Sequence, residues 1–193
     1  WYPTLEAPKE TKGYASLWKL PDFARDADIE IENKAPLVIL SHGHQGDRFG
    51  HAWLVKILVD SGFLVVTLDH YGNSKFSYLR NYSLELWERP QDISYALDKI
   101  LESTKWSSLI DENRIGFIGY SFGGTTGLWL TGAKALNWTR DSFVSEWQMG
   151  LNYENIDEEI LSATDFSQAQ NDYQDQRIKA FFLMAPAFVQ GFP

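Results

Sequence analysis

Cysteine is absent from the chain, which excludes disulfides and thiolate metal sites and leaves the redox compartment open. Basic residues are scarce: 17 lysines and arginines stand against 26 acidic residues, for a formal net charge of −9. That balance argues against a nucleic-acid backbone as partner, because such binders present basic patches. No apolar run approaches the roughly 20 residues of a membrane span. Neither Gly-x-Gly-x-x-Gly nor Gly-x-x-x-x-Gly-Lys-Ser/Thr occurs, so a nucleotide site is not indicated and no cofactor is expected. The chain opens Trp1-Tyr2-Pro3 with neither an initiator methionine nor a signal-peptide pattern, and we expect that something upstream was removed. The compartment, cytoplasmic or exported, stays open, as does the oligomeric state. Histidine is missing from the whole second half, where His42, His44, His51 and His70 have no successor.

What is present suffices for a substantial core: 193 residues, 44% of them hydrophobic and 15% aromatic. Apolar runs at Leu37–Ser41, 63–68, 114–118 and Ile178–Met184 read as strands. They are apolar throughout rather than alternating, as in a parallel sheet covered on both faces. Between them lie helical spacings. One covers 47–61, with Trp53, Leu54, Ile57 and Leu58; another starts near Pro90 and carries Ile93, Ala96, Leu97, Ile100 and Leu101. The alternation predicts an α/β layered domain with ligands beyond the carboxyl ends of its strands. Residues 1–35, broken by Pro3, Pro8 and Pro21, assign to no regular element.

One stretch names a chemistry. Gly119-Tyr120-Ser121-Phe122-Gly123 fits the Gly-x-Ser-x-Gly nucleophile elbow, with an apolar strand before it and Thr125–Leu130 able to continue as a helix. Gly119, Gly123 and Gly124 keep side chains clear of Ser121 and let the backbone turn sharply. An acyl-transfer serine also needs two backbone N–H groups aimed at the developing oxyanion, one from the residue after the serine and one from the loop after an earlier strand. Here those are Phe122 and His44, the latter in the loop Ser41-His42-Gly43-His44.

Residues 141–176 form a distinct stretch, with nine acidic residues and no lysine or arginine. Two readings stand: a solvated acidic insertion, or a cap whose Trp147, Met149 and Tyr153 join Tyr120 as substrate-binding side chains. Ile156, Ile160 and Leu161 suggest a short helix within it. His42 and Gly43 are expected to brace the oxyanion loop, and Asp69-His70 the loop after the second strand. His44 either lines the pocket or faces solvent, and His51 packs at a helix face or edge. Asp165, Asp172 and Asp175 read as surface acids. No metal is expected, since His42, His44 and Asp69 match no metal-ligand spacing.

These motifs, spread over nearly all of the chain, resemble the α/β-hydrolase superfamily. More narrowly they are similar to the predicted dienelactone hydrolases and the platelet-activating-factor acetylhydrolase-like esterases. The similarity is carried by Trp1-Tyr2-Pro3, Ser41-His42-Gly43-His44, Gly62-Phe63 through Asp69-His70, Arg89-Pro90-Gln91-Asp92-Ile93 with Leu97-Asp98, Gly119–Gly124 with Thr125, and Arg177–Ala180 through Ala185-Pro186-Ala187. The resemblance implies an α/β-hydrolase-type, mostly parallel sheet with helices on both faces. It also implies Ser121 as nucleophile and hydrolysis of a small or short-acyl carboxylic ester. In that fold the acid and the histidine follow the serine, and here no histidine does. We therefore expect residues 1–193 to be an incomplete hydrolase domain whose C-terminal strands, acid and histidine come after Pro193, with a cap-like insertion at about 141–176. The alternative is a non-catalytic, hydrolase-like binding protein that lacks the proton relay.

Overall fold

Four of the apolar runs pair side by side, all parallel, in the order β2-β1-β5-β6. The strands are β1 (Ala35–Ser41), β2 (Leu64–Thr67), β5 (Ile110–Tyr120) and β6 (Ala180–Met184). The computed structural model describes residues 1–7, 23–151 and 158–193. Pro8, Pro21, Tyr153 and Ile156 lie outside the described residues, as does the side chain of Met149. A short antiparallel hairpin, β3 (Asn73–Ser74) with β4 (Ser77–Tyr78), follows β2 at the carboxyl end of the sheet.

The pleat sorts side chains to the two faces. Leu37, Ile39, Ile115 and Phe117 point one way, against Ile93 and Leu97 of α3 (Glu88–Glu102) and Leu130 of α5 (Phe122–Leu130). Leu40, Val65 and Ile118 point the other way, against Val55, Leu54 and Leu58 of α1 (Ala52–Asp60). Helices therefore cover both faces, as parallel strands require. Each fully buried Leu, Ile or Phe here contributes about 1.5–3 kcal/mol by leaving water. The second face is not fully covered. Val38, Gly116, Ile118, Ala180 and Phe182 line an apolar groove of about 490 Å³, and Phe182 is 61% exposed.

Three expectations need correction. The helix at 47–61 begins only at Ala52, and residues 48–51 are turns. Its expected stripe is also wrong by part of a turn: Trp53 and Ile57 are 57% and 55% exposed, whereas Ala52 and Val55 are buried. Asp175, expected at the surface, is 7% exposed and gripped by Arg177 and by the Ser94 hydroxyl. Burial opposes its charge, but these hydrogen bonds hold the carboxyl below the ordinary range.

The stretch at 141–176 carries α6 (Arg140–Leu151), α7 (Glu158–Ala163) and a 3₁₀ turn at Phe166–Gln170, and 171–176 are irregular. Its described aromatic residues pack inward. Phe143, Trp147 and Phe166 build a third core with Phe122, Trp129, Trp138 and Phe188, and Phe143 stacks on Phe188 at 5.0 Å. Asp141, Glu158, Glu159, Asp165 and Asp172 are exposed on the outer side of that layer, where Arg140 pairs with Glu158. Two short helices, α2 (Arg80–Leu84) and α4 (Thr104–Ser107), and a 3₁₀ turn at Val189–Gly191 complete the described secondary structure. Among the described residues no helix is long and apolar enough to cross a membrane.

Candidate active site

Ser121 sits between the end of β5 and the first residue of α5, with φ 53° and ψ −115°. A side chain at such a φ clashes with its own backbone, and the conformation persists only where surrounding structure enforces it. The enforcement is visible. The Ser121 N–H donates to Met184 O at 3.0 Å, and Ser121 O accepts from Thr125 N–H at 3.1 Å. The flanking glycines are required for close approach rather than for unusual dihedrals. A Cβ at Gly119 would stand 2.0 Å from Gly123 O, and one at Gly123 would stand 2.2 Å from Ser41 O. A Cβ at Gly124 would stand 2.8 Å from Pro186 Cα. The positive φ falls on the serine itself.

The parallel register Ser41↔Gly119 brings the loop after β1 alongside the elbow. A Cβ added at Gly43 would lie 3.1 Å from Ser121 Cβ, closer than ordinary van der Waals contact, so glycine keeps the space beside the nucleophile open. The His44 ring lies 4.9 Å from the Phe122 ring and 5.4 Å from that of Trp147. His44 and Phe122 therefore flank Ser121 from two different segments. The Phe122 N–H, at the first helical position, has no acceptor within its helix. Tyr120, 46% exposed, stands beside His51 at the rim, while Trp147 is buried in the aromatic core. Backbone strain gathers at this end of the sheet. Gln45 (φ 50°), Ser121, Ala185 (φ 44°) and Phe188 (φ 56°) all follow the carboxyl ends of β1, β5 and β6.

Beneath the loop lies a polar network that the sequence reading found only in part. His42 Nε2 accepts from the His70 N–H at 3.2 Å, so the ring proton is on Nδ1, which donates to Gly43 O at 2.6 Å. Burial, then the nearby Arg89 charge, lowers the His42 pKa to about 2. His70 is enclosed, with Nε2 2.8 Å from Ser41 Oγ and Nδ1 2.7 Å from Asp92 Oδ2. Burial and Arg89 keep it neutral, well below the ordinary histidine range, and burial pushes Asp92 up to about 6. Asp69 accepts from Arg48 N–H and Nε, both at 2.7 Å, which ties the loops after β1 and β2 together.

Ser41, His70 and Asp92 thus have the connectivity of a catalytic triad, yet they do not form one. Ser41 and His70 are fully buried, the Ser41 hydroxyl accepts from Arg89 Nη2 at 3.3 Å, and His70 is too weak a base. Ser121 has the reverse profile: it is partly exposed and strained, and among the described residues no imidazole bonds its hydroxyl. Arg89, Asn73, Thr126 and Ser41 were missed as site residues. The Arg89 signal was present in the spacing, since it lies four residues before Ile93 and eight before Leu97, on the buried stripe of α3.

The fold has known counterparts. The 2,6-dihydroxy-pseudo-oxynicotine hydrolase superimposes with a TM-score of 0.50 at 17% identity, over 78% of this chain and 45% of that one. This is an α/β-hydrolase-type fold. A ferulic acid esterase from Streptomyces cinnamoneus matches with TM-score 0.45 and 23% identity, over 53% of this chain and 34% of that one. DcsB, solved with a substrate analogue, matches with TM-score 0.42 and 14% identity, over 65% and 49%. The matched part spans less than half the length of each of these three proteins. No family model matches the chain, and no curated protein matches it.

Proposed function

We propose that the intact protein is a serine hydrolase of small or short-acyl carboxylic esters, with Ser121 as nucleophile. The observation that carries this reading is the backbone at Ser121, a strained strand-to-helix turn at φ 53° and ψ −115° that presents the hydroxyl at the carboxyl end of the sheet. In this reading Ser121 Oγ attacks the ester carbonyl, and the backbone N–H groups of His44 and Phe122 receive the oxyanion. A histidine supported by an acid, both from residues after Pro193, takes the serine proton and delivers it to the leaving alkoxide. Water then hydrolyses the acyl-enzyme. Of the expected substrate-binding side chains, Tyr120 at the rim and Trp147 beside His44 are the described ones, and their aromatic character suits an apolar acyl or aromatic group. The aryl-ester and phosphonate assays test it. Ser121→Ala in the intact protein is expected to abolish 4-nitrophenyl acetate turnover, and an alkyl fluorophosphonate is expected to label Ser121.

One observation favours a rival, a binding protein of the same fold: no imidazole bonds Ser121 Oγ among the described residues. Failure of the phosphonate to label the intact protein would decide for that rival.

A further inference from the structure

Arg89 is a buried cation with no carboxylate in ion-pairing range among the described residues, and it is 2% exposed. Burial lowers its pKa to about 9, which leaves it charged at neutral pH. The Asp92 carboxylate favours that charge without forming an ion pair with it, so burying it is costly, and an apolar residue of similar volume would generally serve stability as well. Its hydrogen bonds point to another role, because each reaches a different segment of the site. Nη2 donates to His42 O and to Ser41 Oγ, in the oxyanion loop. Nη1 donates to Asn73 Oδ1 at 2.9 Å, which turns the Asn73 amide so that its Nδ2 donates to His44 Nδ1 at 3.2 Å. Nε donates to Thr126 Oγ1 at 3.2 Å, whose hydroxyl in turn donates to Phe122 O at 2.8 Å in the first turn of α5.

The peptide plane converts these contacts into aim. In a trans peptide the N–H points opposite to the preceding C=O, so anchoring His42 O fixes the Gly43 N–H. Gly43 O is anchored in the same way by Gly46 N–H and His42 Nδ1, which fixes the direction of the His44 N–H. We propose that Arg89 is the positioning residue of the oxyanion hole, the one side chain among the described residues that ties the His44 half of the hole to the Phe122 half and sets the gap between them. The proposal rests on the serine-hydrolase reading. A planar fork suits this task, since lysine places one point charge where arginine reaches several acceptors at fixed angles.

The test is steady-state kinetics of the intact protein with 4-nitrophenyl acetate, with active sites counted by phosphonate titration. Arg89→Lys is expected to lower kcat per titrated site by about tenfold or more while KM stays within about twofold, the pattern of an interaction made in the transition state. An unchanged kcat per titrated site, even with a lower unfolding temperature, would make Arg89 a structural tie and overturn the proposal. Thr126→Val cuts only the arm to α5 and serves where Arg89→Lys does not fold. The same split, about threefold or more in kcat, supports the proposal, and a wild-type kcat overturns it. Ser121→Ala run alongside separates the two claims. Turnover retained there removes the hydrolase reading and this proposal with it, whereas turnover lost there beside a wild-type kcat in Arg89→Lys overturns the proposal alone.

Discussion

Replacing Ser121 by glycine is expected to make the fold more stable than replacing it by alanine, although both remove the nucleophile. Alanine keeps the Cβ and so keeps the strain of φ 53°, while glycine has no Cβ to clash. Holding a non-glycine residue in such a region costs about 1–3 kcal/mol. Against that relief stands the greater freedom of glycine in the unfolded chain, worth about 0.5–1 kcal/mol. Both variants lose the same hydroxyl, so its hydration cancels from the comparison. The difference comes to about 1 kcal/mol in favour of Ser121→Gly. For a chain of this size that corresponds to about 2–4 °C in unfolding temperature. Urea denaturation of the two variants side by side, with equal m-values confirming the same unfolding reaction, measures it. If Ser121→Gly unfolds at or below the midpoint of Ser121→Ala, the elbow is not strained in the folded protein, and the observation behind the proposed nucleophile loses its force.

Two further outcomes are expected. Ser41→Ala should retain aryl-ester turnover within about tenfold while losing about 1–3 kcal/mol of stability, because it leaves the buried His70 Nε2 without its donor; loss of turnover equal to that of Ser121→Ala would reassign the nucleophile. Acidification from pH 7 to pH 5 should destabilise the protein. His42 and His44, lowered to about 2 and about 4 mainly by burial, stay neutral when folded but take up protons below about pH 6.5 when unfolded. The stability they contribute is therefore present above that pH and lost as pH falls, by about 2 kcal/mol each at pH 5. Asp92, raised to about 6, has the opposite sign and returns about 1 kcal/mol after solvent screening. His70 and His51, also lowered by burial, act in the same direction as His42 and His44, so the net fall is at least about 3 kcal/mol; it is read from urea midpoints at the two pH values, and equal midpoints would show that these histidines are not buried neutral.

The sheet was legible because its strands are short apolar runs bounded by turns, and the elbow because strand, glycine, serine and helix follow in unbroken order. The limits of legibility are particular. A helical spacing shows that a helix has an apolar stripe but not which of two overlapping stripes meets the sheet, so Trp53 and Ile57 were assigned inward where Ala52 and Val55 are buried. The apolar run predicts a strand only over 114–118, yet β5 starts at Ile110, because Ala35 pairs with Ile110 across a register shift. Asp175 read as a surface acid because one of its partners, Ser94, lies far away in sequence. Arg89 was passed over because charge suggests solvent, although its spacing to Ile93 and Leu97 placed it on the buried stripe.

Strain and network at this site are two parts of one construction. Four residues with unfavourable backbone lie at the strand ends, in the loops after β1, β5 and β6, and a strained loop relaxes unless its contacts over-determine it. Apolar packing alone does so poorly, since it constrains volume but not the direction of a peptide plane. Hydrogen bonds to backbone carbonyls do constrain direction. His42 bonds Gly43 O, whose peptide carries the His44 N–H; Thr125 and Ala187 N–H bond Ser121 O, whose peptide carries the Phe122 N–H; and Arg89 and Thr126 hold the adjoining carbonyls of His42 and Phe122. A half-satisfied network of this kind would be worse than an apolar core. Here His42, His70, Asn73 and Arg89 each have their polar atoms engaged, and the protons of His42 and His70 are fixed by their partners. The chain thus buries a charge and two neutral histidines where leucines would pack, and the segments they hold rigid are the ones that flank Ser121.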